Sequence, residues 1–199
     1  MQKLPTILTQ VEKAGHKVFS NGDYDLNIIG VRNPKGKPDQ FDDIMYVVFK
    51  VNGLWQVESF QITTDPGLYF MKKPANVDGT AILKAGQYRG AYKIDKHRGK
   101  YNALCQRAGS VVVWRDNNKD DVVDYDHTQK GYFGINIHRA HQEYELDSVG
   151  KYSAGCQVFR RAEDLERLLW LCGMQIKTHN WDTFTYTLLD SKDKPAKKK

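Results

Sequence analysis

Apolar residues recur at helical spacing in two stretches of the chain and at alternate positions through most of the rest. Leu4, Ile7, Leu8 and Val11 fall on one face, which predicts a short amphipathic helix at the N-terminus. Leu165, Leu168, Leu169 and Cys172 repeat in the same way and predict a helix over 162–172. Strand patterns fill the interval. Residues 25–31 are one candidate, and 44–51 and 54–63 flank Asn52-Gly53, a strong hairpin signal. Residues 88–94, 110–115, 132–138 and 156–159 follow, and 183–189 alternate as a closing strand. Residues 33–40, with two prolines and a glycine, read as a loop; Asp65-Pro66-Gly67 reads as a turn, and 70–79 as a long surface connection. Trp55 and Trp114 alternate with polar neighbours and are expected in the core. The pattern predicts a mainly-β fold, a sandwich or barrel carrying one or two short helices. Residues 1–190 are expected to form one domain, and the Lys-rich end, 191–199, a disordered tail.

Composition narrows the function classes. The chain has 199 residues, 40% hydrophobic and 27% charged, which is enough for a sizeable core and ordinary for a globular protein. No apolar run reaches bilayer length, so no membrane span is expected. Residues 1–15 lack the apolar stretch and cleavage site of a secretory signal. The chain is therefore expected to be made in the cytoplasm, and to reach any other compartment by a route that reads no such signal. The formal charge is +6, with much of the excess in 192–199. Basic residues elsewhere are interleaved with Asp and Glu, so no nucleic-acid partner is expected. Three cysteines without a C-x-x-C pair argue against a disulfide framework and a cysteine zinc site. Neither a metal nor any other cofactor is expected.

One of the three thiols stands apart. Cys172 belongs to the apolar helix face, and Cys105 sits beside Leu104 in an unremarkable setting. Cys156 follows Ser153-Ala154-Gly155, small residues that leave backbone N–H groups uncovered where an oxyanion could develop. A reactive thiol needs a base or cation beside it, and the predicted strand ending at His138 could supply the imidazole. A thiol pKa below the ordinary value is the corresponding expectation.

The segment resembles the signature of L,D-transpeptidase catalytic domains, in which a strand-ending His is followed, after a loop, by Ser/Thr-His-Gly-Cys. Here His138 is followed by 139–152 and then Ser153-Ala154-Gly155-Cys156. Ala154 stands where the family has His, and Gln157-Val158 replace its apolar residue and Asn or Arg. The resemblance implies an L,D-transpeptidase-like fold and a peptidoglycan stem peptide as partner. It implies Cys156 as nucleophile, His138 as base, Ser153 offering its carbonyl to orient the imidazole, and N–H groups near Gly155 and Cys156 for the oxyanion. A thioester would pass to an amine or to water. A phage or prophage wall-modifying setting fits a chain without a signal. Papain-like and amidase-like peptidases place the cysteine first, and only His179, beside Asn180, follows Cys156. A wall-binding module without activity is the non-enzymatic alternative.

Other residues carry weaker signals. Tyr88, Arg89, Tyr92, Lys96, His97 and Arg98 form a basic-aromatic cluster suited to an anionic ligand. Tyr88 and Arg89 from it, with Arg139, His141 and Gln157 near the dyad, are the candidate substrate contacts. His141, three residues after His138, has no third ligand in sight for a metal. Residues 116–124 begin like a calcium loop, but Asp121 occupies the place of its glycine and His127 that of its last glutamate. An acidic hairpin loop is the simpler reading.

Overall fold

A computed structural model describes residues 2–125 and 127–190; the Lys-rich segment 191–199 lies outside the described residues. α1 (Thr6–Lys13) opens the chain and buries Ile7, Leu8 and Val11 against Ile29 and Val48. β1 (Asn27–Arg32), β2 (Asp43–Val51) and β3 (Leu54–Thr63) follow, β2 and β3 paired as an antiparallel hairpin. Its turn takes positive φ at both Asn52 (51°) and Gly53 (75°), the backbone twist that suits a tight hairpin. The Asp23 carboxylate accepts hydrogen bonds from the N–H groups of both turn residues, at 2.7 and 2.9 Å.

After α2 (Leu68–Lys72) come β4 (Thr80–Leu83), the long β5 (Gly86–His97), β6 (Tyr101–Gln106), β7 (Val111–Asp116) and β8 (Thr128–Gly131). β9 (Ile137–Arg139), β10 (Gln157–Phe159), α3 (Ala162–His179) and β11 (Phe184–Asp190) complete the chain. The fold is mainly β. Eight strands close into a barrel in the order β1-β11-β5-β6-β9-β10-β3-β2, and β4-β7-β8 form a small second sheet. Pairing is antiparallel except for β1 with β11 and β9 with β10. The barrel interior holds Ile28, Met45, Val47, Tyr92, Leu104, Phe159, Tyr186 and Leu188, and α3 adds Leu165, Leu168, Leu171 and Cys172. Truncating a fully buried residue such as Leu168 to Ala is expected to cost about 2–5 kcal/mol.

Several elements depart from the sequence expectation, each for a local reason. Part of the supposed connection 70–79 is α2, too short to display a period; its Met71 is buried, and the Asp39 carboxylate accepts from the Leu68 N–H at its start. β6 was not expected, because covering on both faces removes alternation: Ala103 through Gln106 are all buried. Residues 132–136 run irregularly instead of as a strand. The Gln106 side chain satisfies that segment, accepting from the N–H groups of Phe133 and Ile135 and donating to the Gly131 carbonyl. α3 continues past Gly173 for another turn and a half or so. Buried Gln175 anchors that extension, accepting from the Leu26 N–H and donating to the Thr183 carbonyl. Trp55 and Trp114 are half-buried, each covered by a lysine ammonium from Lys50 or Lys84.

Candidate active site

Two short parallel strands place the expected dyad. Register pairs His138 on β9 with Val158 on β10, and Ile137 with Gln157. Side chains alternate across a strand, so Cys156, two residues before Val158, lies on the same outward side of the barrel as His138. Both Val158 and Cys156 pack with Phe41, Ala140 and Val149 on that side. Gln157 and Ile137 face the interior, where the Tyr186 hydroxyl donates to Gln157 Oε1 at 2.9 Å.

The loop before Cys156 is built from its own short-range hydrogen bonds. Ser153 is fully buried; its hydroxyl donates to the Cys156 carbonyl at 2.9 Å and accepts from the Gly155 N–H at 3.2 Å. Gly155 has φ of 112°, a conformation that favours glycine, and a Cβ there would run into the Ala81 carbonyl. With the Gly155 N–H committed to Ser153, the Cys156 N–H is left without a partner among the described residues. The oxyanion role expected of both N–H groups therefore rests on Cys156 alone.

His138 is almost wholly buried, and its tautomer follows from its contacts. Nδ1 donates to the Arg139 carbonyl at 2.7 Å, which the Tyr101 hydroxyl also approaches at 3.3 Å. The proton thus sits on Nδ1, and Nε2 carries the basic lone pair. The orienting carbonyl is that of Arg139, not that of Ser153, which accepts from the Gly67 N–H at 3.0 Å. Burial, reinforced by His97 and by Arg98 and Arg139, pushes the His138 pKa down to about 3.

His97 and Asn136 complete the arrangement. The Asn136 amide oxygen accepts from the Gln106 N–H at 2.9 Å, which fixes the orientation of the amide. Its nitrogen must then donate to His97 Nδ1, 3.1 Å away, so His97 is neutral with its proton on Nε2. The His97 ring stacks on His138.

The thiol differs from its expectation. Burial pushes the Cys156 pKa up to about 11, opposed by the Asn136 backbone N–H and by Arg98. Its S–H is directed to the Gly134 carbonyl at 3.4 Å, and no hydrogen bond joins it to His138 among the described residues. The resting pair is a neutral thiol and a neutral imidazole rather than a thiolate–imidazolium pair. Cys172 and Cys105 are fully buried, and burial raises both thiols as well.

The other expected residues divide. Arg139 and His141 line a cleft of about 660 Å³ with His138 and Tyr101. His141 accepts from the Glu143 and Tyr144 N–H groups and stacks on Tyr144. Tyr88 is not brought there: it is buried in the core, its hydroxyl donating to the Lys84 and Val112 carbonyls. Arg89 lines a different cavity, with Lys17 and Trp181, and Gln157 is inside the barrel. His179 stacks on Trp181, with Nε2 2.7 Å from the Asp23 carbonyl oxygen, at the end of α3. In the acidic loop the Asn118 amide donates to Asp120 and Asp124, and Asp116 accepts from the Asp124 N–H. Among the described residues no group of three or more His, Cys, Asp or Glu side chains is arranged to hold a metal. Tyr101 and Asn136 were missed by the sequence reading, and His97 entered it only as part of the basic-aromatic cluster; the facing positions of His97 and Tyr101 on one hairpin were the available signal. No family model, no curated protein and no solved structure matches the chain.

Proposed function

We propose that the chain is a cysteine acyltransferase or hydrolase of the L,D-transpeptidase type, acting on peptidoglycan stem peptides. The observation that supports this best is the β9–β10 register, which sets His138 and Cys156 on one side of adjacent strands behind a glycine that tolerates no side chain. A sulfur attack from this resting state begins with rotation of the thiol away from Gly134. As the S–C bond forms, the proton passes to His138 Nε2, and negative charge on the carbonyl oxygen meets the Cys156 N–H. His138 then returns that proton to the leaving amine as its C–N bond breaks. The thioester passes to an acceptor amine, giving a cross-link, or to water, giving a shortened stem. A pKa of about 3 leaves His138 neutral and also weakens it as a base, so the proton transfer requires that the bound substrate raise that pKa.

Purified protein incubated with tetrapeptide-bearing muropeptides, with and without added D-amino acid, is the test. Exchange, cross-linked dimers or shortened stems that disappear in Cys156→Ala support the reading. Cleavage at another bond with the same dependence points to a wall peptidase or amidase using this dyad. Absence of any product, and of a carbapenem adduct on Cys156 by mass spectrometry, overturns it. That outcome would favour an inactive wall-binding module, a reading to which the thiol's resting contact with Gly134 also lends support.

A further inference from the structure

Among the described residues, the cleft beside His138 is lined by four cations, Arg98, Lys100, Arg139 and Lys151, and by no carboxylate. None of the four forms a salt bridge among the described residues. Elsewhere on the described surface several arginines are neutralised, though exposed Arg89 is not: Arg107 pairs with Asp95, Arg167 with Glu58, and Arg160 with Glu145 and Asp147. The last pairing draws two acids of the loop 139–152 to Arg160, while Glu143 of that loop is exposed and is not part of the lining.

Arg98 also occupies a backbone position that does not favour it. The turn joining β5 to β6 has positive φ at Arg98 (51°) and Gly99 (71°), closed by the Lys100 N–H donating to the His97 carbonyl at 3.0 Å. Asn, Asp or Gly fits the first of these places with least strain. Arginine there holds a guanidinium at the rim of the cleft at a conformational cost. Arg139 stacks over Tyr101 at 4.1 Å, and Lys151 over Tyr69 at 4.5 Å, which fixes two more charges without neutralising them.

We propose that this cleft is a carboxylate-binding subsite that draws an anionic group of the acyl substrate to the His138 side of the reacting centre. The proposal rests on the reading of Cys156 and His138 as the reacting pair. Excess positive charge in a concave site raises the local concentration of anions and their rate of arrival, an effect that salt weakens.

Two measurements on the full chain separate the subsite from the dyad. Amide NMR titrated with succinate at low ionic strength should give saturable shifts confined to residues near 98–101 and 139–142. Arg98→Asn with Lys100→Gln should weaken that binding about tenfold, through the loss of two charge-assisted contacts. Arg98→Asn alone should raise the unfolding temperature, which guards against misfolding as an explanation. Shifts scattered over surface lysines, or unchanged in the double variant, overturn the subsite. Saturable binding of inorganic phosphate without binding of succinate overturns the carboxylate assignment. The second measurement compares iodoacetate with iodoacetamide on Cys156. Iodoacetate should gain several-fold over its ratio in the unfolded chain, and lose that gain with salt or in the double variant. A ratio at or below the unfolded one also counts against the subsite. If neither reagent labels Cys156 even at about pH 10, where its thiolate becomes appreciable, in a protein that binds succinate as described, the dyad reading fails and the subsite stands.

Discussion

The imidazole of His97 lies nearly flat against that of His138, with ring centroids 4.1 Å apart and planes 22° from parallel. The contact fixes the plane of a base whose useful nitrogen must point at a sulfur, while Asn136 holds His97 neutral by donating to its Nδ1. His97 is thus a second imidazole at this site. Removing it should matter through geometry. His97→Ala is expected to slow acylation of Cys156 about tenfold by freeing the His138 ring, whereas His97→Phe, which keeps a flat ring, should retain most of the rate. Carbapenem adduct formation followed by mass spectrometry gives the rates. Equal rates in the alanine variant and the parent would show that the stack does not position the base.

The raised thiol makes a distinct prediction about reagents that need thiolate. With the Cys156 pKa at about 11, alkylation by iodoacetamide should keep rising about tenfold per pH unit beyond pH 9, where an ordinary thiol has begun to level off. A plateau below pH 8 would mean a thiolate held by His138, and the neutral-pair mechanism would have to be abandoned.

Stability should fall on acidification through the same buried imidazole. The folded-state pKa of His138, about 3, lies below its ordinary 6.5, so between those values the unfolded chain binds a proton that the folded chain does not. Stability from this group is therefore full above pH 6.5 and is lost as pH falls toward 3, at up to about 1.4 kcal/mol per pH unit. His97, lowered to about 4, acts with the same sign. Asp43 acts against them: burial beside Asp65 raises it to about 6, so its contribution grows as pH falls from 6 toward its ordinary 3.8. Urea unfolding at a series of pH values should give a net decline between pH 6.5 and 4, and His138→Gln should flatten it. An unchanged slope in that variant would locate the acid sensitivity elsewhere.

The contrast between what the sequence disclosed and what it hid has a physical basis. Asn52-Gly53 fixed a hairpin because two successive positive φ angles are a backbone requirement that few residues meet. The apolar faces of α1 and α3 were legible because one side of each helix meets solvent, which leaves a period to read. β6 left no period, being covered on both faces. The segment 132–136 has the alternation of a strand and yet is satisfied by the Gln106 side chain, a partner 25 or more residues away in the sequence. At the site, Cys156 stood out by its small-residue neighbours and His138 by ending a predicted strand, while their pairing and the part given to Ser153 came from the resemblance. Their hydrogen-bond partners could not, because the Arg139 and Gly134 carbonyls belong to backbone, which carries no residue signature. Tyr88 and Arg89, neighbours on β5, point to opposite sides of the strand, so a cluster in sequence became one core residue and one surface residue.

Two glycine-to-alanine substitutions should move stability in opposite directions, which tests the loop that holds Cys156. Gly155 sits at φ of 112° with the Ala81 carbonyl where a Cβ would go, and that carbonyl belongs to β4, whose pairing with β7 limits how far it can shift. Gly155→Ala therefore combines backbone strain of about 1–3 kcal/mol with a clash against main chain. It should also push the Gly155 N–H off the Ser153 hydroxyl and displace the sulfur. The expected result is a lower unfolding temperature together with slower acylation of Cys156. Gly173 lies inside α3, where an added Cβ meets nothing within 4 Å. Gly173→Ala should stabilise the protein by about 0.5–1 kcal/mol, because alanine loses less backbone freedom in a helix, with no effect on acylation. Thermal unfolding and adduct formation measured on both variants decide the matter. If Gly155→Ala is as stable and as reactive as the parent, the tight approach of Gly155 to Ala81 is not what sets the cysteine in place.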